Sequence, residues 1–447
     1  MMSPLRRAAR RLQVTTQVLL HGPGALVGTP AGGATTGRAA PSEAEQRRER
    51  VRAGHDESRA LTGRPQLLAD LDVALPATAR ERFPRALATD LEAWRALPEE
   101  GADEGRRAGL LRELDAWTAD DPALSHANGH YRARLLAPGA TREDVLAAVL
   151  AGTPVVAPPS VAATLPSDVA DLVTVVEDLV ALRDEVQPLL LQDELFDRES
   201  LRLRRTAVRR FLTSAREDLT VSAIIPTNRP HQVDNILENI GRQRHPVELV
   251  LVLHGLEVDQ ADLDRRAADA GVARLRVVHA PASATLGACM NLGVDAASGA
   301  YVAKMDDDNH YGAEFIGDLV DAAVVTGAEI VGKWAHYVWL RSSGAVVLRY
   351  PDAENRSERR VQGGSMLFTA DAVRSVRFSD IPRAVDSDIL DRSLARGLRV
   401  FSADRFNYVS IREPDPTRHT WKVVDATFFT RTGRLLFYGD PREHVAV

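Results

Sequence analysis

The sequence predicts an α/β protein whose second half is a mainly parallel sheet flanked by helices, and three observations carry that expectation. From Leu219 onward, short apolar runs alternate with stretches of helical period. The runs are separated by helix-length segments rather than by tight turns, the spacing that parallel strands need. Two groups of polar residues, Thr227-Asn228 and Asp306-Asp307-Asp308, each follow directly on such a run. Open parallel sheets bind ligands beyond the carboxyl ends of their strands, so both groups are expected at one edge.

Taken in order, residues 1–62 are rich in Gly, Ala, Thr, Pro and Arg, lack an apolar period, and read as a disordered segment. Residues 63–215 read as a mostly helical α/β region. Leu110, Leu111, Leu114 and Trp117 share one helix face, as do Val145, Leu146, Val149 and Leu150. Gly152-Thr153-Pro154 breaks into a strand, Val155-Val156-Ala157, which Pro158-Pro159 ends, and Leu172 to Val176 is a second strand. An Arg-rich helical stretch from Leu189 to Arg216 leads into residues 216–447. There Val221 to Ile225 is a buried strand, and Pro226-Thr227-Asn228-Arg229-Pro230 turns it into a helix bearing Val233, Ile236, Leu237 and Ile240 on one face. Glu248 to Leu253 and Leu275 to His279 are further strands, then comes a helix from about Thr285 to Ala297. Tyr301-Val302-Ala303 is the strand that runs into the acidic triplet.

Composition narrows the class. The 447 residues allow two or three domains, and 45% hydrophobic with 26% charged residues is ordinary for a globular chain. A net charge of −6 argues against bulk nucleic-acid binding. Lysine occurs only at 304, 333 and 422 among many arginines, a bias of high-GC bacterial genomes. Cys289 is the one cysteine, so an intrachain disulfide and a Cys-rich zinc site are excluded, and a buried small residue is its expected role. A cytoplasmic setting, including the inner face of a membrane, fits. No apolar run approaches the roughly 20 residues of a membrane helix. The basic start, Arg6, Arg7, Arg10 and Arg11, leaves a weak peripheral contact with anionic lipid open, although a disordered start is favoured.

The triplet Asp306-Asp307-Asp308 concentrates like charge that folding alone does not favour. A hard divalent cation such as Mg²⁺ or Mn²⁺, bridging carboxylates to substrate phosphates, reverses that balance. An EF-hand is excluded, because its sixth position is Tyr311 and its twelfth Gly317. There is no GxxxxGK[ST] loop and no Gly-rich dinucleotide fingerprint after the first strand of this half. Lys304 is expected to be a solvent-facing strand residue. Trp334 and Trp339 are expected to pack in the core rather than stack on a ligand ring. Gly363-Gly364 is evenly poised between a close backbone approach to ligand and a plain turn.

These pieces together resemble family-2 glycosyltransferases of the GT-A fold, over residues 219 to about 425. The resemblance rests on Val221 to Pro230, Asn291-Leu292-Gly293 before Ala297-Ser298-Gly299, Asp306-Asp307-Asp308, Gly363 to Phe368, and Val385-Asp386-Ser387-Asp388-Ile389-Leu390. It implies that Asp306 and Asp308 hold a Mn²⁺ or Mg²⁺ on the diphosphate of a nucleotide-sugar donor, which leaves Asp307 as the most replaceable member of the triplet. It implies that Pro226, Thr227, Asn228, Arg229, Asn291, Asp306, Asp307 and Gly364 line the donor site. The family's second strand usually ends in acidic residues that contact the base; here it ends Leu253-His254-Gly255, which leaves the base open. Leu150 to Val156 resembles the donor-side segment of GT-B glycosyltransferases, but Ala147 stands where an acid is expected, as in a degenerate remnant.

Sugar transfer needs charge stabilisation on the leaving diphosphate and a base for the acceptor hydroxyl. Asp386 is the candidate base and Asp388 the next. Helix capping is the competing role for both, since they open a helical stretch. His419 is the candidate third metal ligand, by resemblance to enzymes with a His after the base helix. The expected function is inverting, metal-dependent transfer of a sugar to a hydroxyl of a glycan or lipid-linked glycan, as in cell-envelope polysaccharide synthesis. Two other readings stand beside it: a sugar-nucleotide nucleotidyltransferase, which would want a Gly-rich basic loop after the first strand, and a non-catalytic glycan-binding scaffold.

Overall fold

The structure is a computed structural model that describes residues 86–87, 92–98, 104–118, 133–150, 152–211, 219–414, 424–430 and 432–447. The segment expected to be disordered, 1–62, lies outside these residues, as does His419. The fold is α/β with a mainly parallel central sheet, as the strand spacing predicts.

Strands β1 (Ala86–Leu87), β2 (Ala133–Leu135), β3 (Val155–Ala157) and β4 (Val173–Val175) form a small all-parallel sheet in that order. The expected helices over Leu110 and Val145 are present as Glu104–Thr118 and Arg142–Leu150. The Arg-rich stretch is two helices, Leu179–Leu191 and Asp193–Phe211, parted at Gln192. Gly152 adopts φ +77°, and a Cβ there would lie 2.2 Å from Ser200 Oγ, so the turn before β3 packs directly on the second of these helices.

The central sheet contains β5 (Val221–Thr227), β6 (Val247–His254), β7 (Arg274–Ala280) and β8 (Tyr301–Met305), all parallel in the order β8-β5-β6-β7. Every residue from Leu249 to Leu253 is buried, so this strand reads as a continuous apolar run rather than an alternation. The helix Val233–Gly241 buries Val233, Ile236, Leu237 and Ile240 against the sheet, the face its period predicts. Thr285 caps the helix Leu286–Ala296 by accepting from Ala288 N.

Beyond β8 the chain departs from simple alternation. β9 (His310–Tyr311), β11 (His336–Leu340), β12 (Ala345–Arg349), β16 (Tyr408–Arg412) and β17 (Gly433–Tyr438) make a third sheet, ordered β17-β12-β11-β16-β9. β10 (Ile330–Gly332), β13 (Arg356–Ser357), β14 (Ser365–Thr369) and β15 (Val400–Ser402) extend the central sheet past β8. β14 runs antiparallel to β8, with Ser365 opposite Met305. That register sets Gly363-Gly364, which precede β14, beside the carboxyl end of β8, where the acidic triplet begins.

One apolar cluster runs from Val145, Val149 and Val155 through Ile225, Leu251 and Met305 to Phe315 and Tyr408. The α/β region before residue 215 and the sheet after it therefore share a core.

Candidate functional site

The site stands at the carboxyl ends of β5 and β8. The backbone of the turn 306–309 is held by the side chains of Tyr311, Asn235 and Asn239. Tyr311 Oη accepts from Asp306 N at 2.7 Å and donates to Gly364 O at 2.7 Å. Asn235 Nδ2 donates to Asp307 O at 2.7 Å, and Asn239 Nδ2 to Asn309 O at 2.9 Å. Tyr311 and Tyr408 are fully buried, and burial pushes both phenols well above their ordinary range, so they stay protonated.

The three acidic side chains go to three different places. Asp307 turns inward, 5% exposed, and accepts from Thr227 Oγ1 at 2.6 Å and from Arg229 Nε at 3.0 Å. Arg229 Nη1 also reaches Asp308 Oδ2 at 3.0 Å. Thr227 and Arg229, expected at the donor, thus hold the acidic turn itself. Asp307 is accordingly the anchored member of the triplet and not the replaceable one; its carboxylate is the common acceptor of both donors.

Asp306 faces the opposite way. Its Oδ1 accepts from Lys304 Nζ at 2.9 Å, and its Oδ2 lies 3.3 Å from Asn309 Nδ2. Lys304 is 3% exposed, which corrects the expectation that it faces solvent: β8 is buried on both faces, so no position along it is a solvent position. The same Nζ lies 3.3 Å from Asp386 Oδ1 and donates to Gly363 O at 2.9 Å. The acidic triplet and the candidate base, separated by eighty residues in sequence, meet on one ammonium.

Gly363 and Gly364 close this cluster. A Cβ on Gly363 would lie 2.0 Å from Asp386 Oδ2, and one on Gly364 would lie 2.4 Å from Asp306 Oδ2. The glycines are therefore required by the two carboxylates packed against them, a reason other than the ligand approach and the plain turn between which the sequence was poised.

Asp386 and Asp388 lie in the first turn of the helix Val385–Ala395, whose N-cap is Ala384 in the left-handed region at φ 58°. Neither makes a side-chain cap bond there. Asp388 accepts from Ser379 Oγ at 2.7 Å and Arg392 Nε at 2.8 Å; the hydrogen bond from Ser379 is the main cause holding its carboxyl below the ordinary range. It is thereby separated from the Lys304 cluster. Burial raises the carboxyl of Asp386, nearby Lys304 opposes that, and Asp306 adds to it. Asn291 uses both ends of its amide on Phe378, donating to O at 2.8 Å and accepting from N at 3.0 Å, so it ties a helix to a loop. Pro226 is partly exposed near the end of β5, and Asn228 is exposed just beyond it. His254 ends β6 with its Nε2 buried and without a hydrogen bond. Trp334 is partly buried, stacked on Tyr350 with centroids 4.0 Å apart.

The donor set bears on metal binding. Among the described residues no three His, Cys, Asp or Glu side chains converge as a ligand group. Asp306 and Asp308 supply two carboxylates, which suits a cation that takes its remaining ligands from a diphosphate and water. Burial raises the Asp308 carboxyl to about 6, with Asp306 and Asp307 adding to the rise and Arg229 opposing it. The turn is short of positive charge even with Arg229 in place. A divalent cation fits that deficit.

Lys304, Asn309, Tyr311, Asn235 and Asn239 belong to the site but were not anticipated. A lysine two residues before an acidic run in a doubly buried strand is the signal that would have found the first.

No protein-family model matches the chain, and no curated protein matches it in sequence. Solved structures similar to it include Staphylococcus aureus TarS in complex with UDP-GlcNAc, at 13% identity and TM-score 0.35, covering 44% of this chain and 59% of that one. The mannosyltransferase PcManGT from Pyrobaculum calidifontis, in complex with GDP-Man and Mn²⁺, is 17% identical at TM-score 0.34, covering 43% and 56%. GalNAc-T7 with UDP, GalNAc and Mn²⁺ is 11% identical at TM-score 0.35, covering 44% and 45%. The chain thus spans less than two thirds of the length of each of these structures.

Proposed function

We propose that this protein is a metal-dependent, inverting glycosyltransferase of the GT-A type. It would move a sugar from a nucleotide-diphosphate donor to a hydroxyl of a glycan or lipid-linked glycan. The observation that carries the reading is the convergence of Asp306 and Asp386 on Lys304 at the carboxyl edge of a parallel sheet. One carboxylate faces the diphosphate side and the other is left to serve the acceptor.

Asp306 and Asp308 are the residues that would hold Mn²⁺ or Mg²⁺, which when bound supplies Lewis-acid stabilisation of the leaving diphosphate. Arg229, already 3.0 Å from Asp308, adds fixed positive charge to the same side. Asn228 and Pro226 border the donor. Asp386 takes the proton from the acceptor hydroxyl as it attacks the anomeric carbon. Its raised carboxyl brings the base closer to the operating pH, where general-base catalysis is most effective. A single displacement from the face opposite the leaving group inverts the anomeric centre.

The test is transfer or hydrolysis of a panel of sugar nucleotides with Mn²⁺ or Mg²⁺. Asp386→Asn is expected to lose about 10²–10⁴-fold in turnover while donor binding persists. Asp308→Ala is expected to abolish the metal-dependent thermal shift. A wild-type protein that binds no sugar nucleotide in the presence of metal returns the non-catalytic scaffold reading, and full transfer by Asp386→Asn removes that residue as the base.

A further inference from the structure

We infer that Lys304 is a positioning residue that couples the metal-side carboxylate, Asp306, to the base, Asp386, by holding one oxygen of each; this rests on the reading above. An ammonium has three donors. Two of those of Lys304 go to Asp306 Oδ1 and Gly363 O, both at 2.9 Å, and the ammonium forms an ion pair with Asp386 Oδ1 at 3.3 Å without a hydrogen bond to it. At 3% exposure Lys304 has no free approach to a phosphate. Lys304 is therefore no donor contact.

The geometry decides which oxygens remain for chemistry. Asp386 Oδ2 stays clear of Lys304, and Asp306 Oδ2 meets only the Asn309 amide at 3.3 Å; both lie over the glycine pair, where a side chain would collide with them. Without the shared cation two carboxylates would face each other across Gly363-Gly364 and separate. With it they are fixed, and they sense each other's charge. Asp306 would be shared between a bound divalent ion and the Lys304 ammonium, and Lys304, paired with both carboxylates, would carry the effect of that sharing to Asp386. Lys304 thus sets how strongly the site attracts metal and where the base carboxylate stands.

The experiment is a Mn²⁺ titration of the full chain, followed by the paramagnetic resonance of the free ion, with the wild type beside Lys304→Met. Removing the resident cation is expected to tighten Mn²⁺ binding by at least about tenfold, since a unit charge a few ångströms from a second cation repels it strongly in a partly buried site. Mn²⁺ is also expected to raise the melting temperature of the variant more than that of the wild type. A lysine that merely props up the fold leaves Mn²⁺ affinity unchanged or weakens it, and either result overturns the coupling. Should Lys304→Met fail to fold, Asp386→Asn carries the test: Asp306 is then the one carboxylate left to Lys304 and Mn²⁺ binding weakens severalfold, whereas unchanged affinity overturns the inference. A wild type that takes up no Mn²⁺ sinks the metal-dependent reading itself, and the coupling falls with it.

Discussion

Single atoms decide the candidate site. A methyl group on Gly363 would occupy the place of Asp386 Oδ2, only 2.0 Å away, and must push that carboxylate off Lys304. Gly363→Ala is expected to keep its circular-dichroism spectrum and lose at least about 100-fold in transfer, because displacing a reacting group by about 1 Å has that scale of effect. A variant with unchanged transfer would show that Asp386 need not sit where it does. Asp307 makes the complementary case. Asp307→Ala deletes the acceptor shared by Thr227 and Arg229 and leaves two donors without their carboxylate. The expected cost is about 1–3 kcal/mol of stability, read as a lowered urea midpoint; Arg229 is partly exposed, which keeps it below the penalty of a fully buried pair. The acidic triplet stood out in the sequence because like charges crowded at a strand end need an external reason, whereas Asp386, in the first turn of a helix, stood out only through the family resemblance. Lys304 was not legible, because alternation assigns faces only when one face of a strand meets water, and β8 has no such face.

At the level of elements, the parallel strands β5, β6 and β8 were legible almost to their ends, since strands covered on both sides are written as largely apolar runs; β7, at the sheet edge, was legible although exposed residues interrupt it. The third sheet was not. Its strands β9, β11, β12, β16 and β17 pair across as many as a hundred residues, and no local period records a partner that far away. The helix Asp193–Phe211 was legible as a helix but not in its allegiance. It was assigned with residues 63–215, yet Arg205 Nε pairs with buried Asp318 at 2.9 Å and Arg209 Nη2 with Glu314 at 2.6 Å. Arg405, itself buried, reaches back to Asp197 at 2.8 Å. Breaking a buried pair from one side strands a charge. Arg205→Met is expected to cost about 3 kcal/mol, whereas Arg202→Met, on the exposed face with Glu199, is expected to cost under about 1 kcal/mol. Equal melting temperatures for the two variants would mean that the helix is not docked through these ions.

The same economy of buried charge extends over the whole molecule and gives it a definite response to acid. His336, 3% exposed, has an Nδ1 2.7 Å from Trp334 O, and burial with help from Arg349 depresses its imidazole to about 3. His310 is depressed to about 4, again chiefly by burial, with Arg242 and Arg442 adding to it. Both rings are neutral in the folded chain at pH values where an unfolded chain would already bind protons, since a free histidine titrates near 6.5. The stability this represents is fully present above pH 6.5 and is lost as pH falls from there toward 4, and toward 3 for His336. Asp308 acts in the opposite sense: its carboxyl, raised to about 6, takes up a proton in the folded state first and offsets one of the two histidines. Asp386, raised in the same direction, adds to the offset without a defined window. His336→Asn isolates one histidine, because an amide can still donate to the Trp334 carbonyl but does not titrate. Between pH 6 and 4 the variant's stability is expected to fall less steeply than the wild type's by about 1.4 kcal/mol per pH unit, the linkage of one proton. Chemical denaturation at several pH values measures both slopes. Parallel slopes would mean that His336 is protonated inside the fold, and that the core around Trp334 and Tyr350 admits a charge which its burial and the neighbouring Arg349 should exclude.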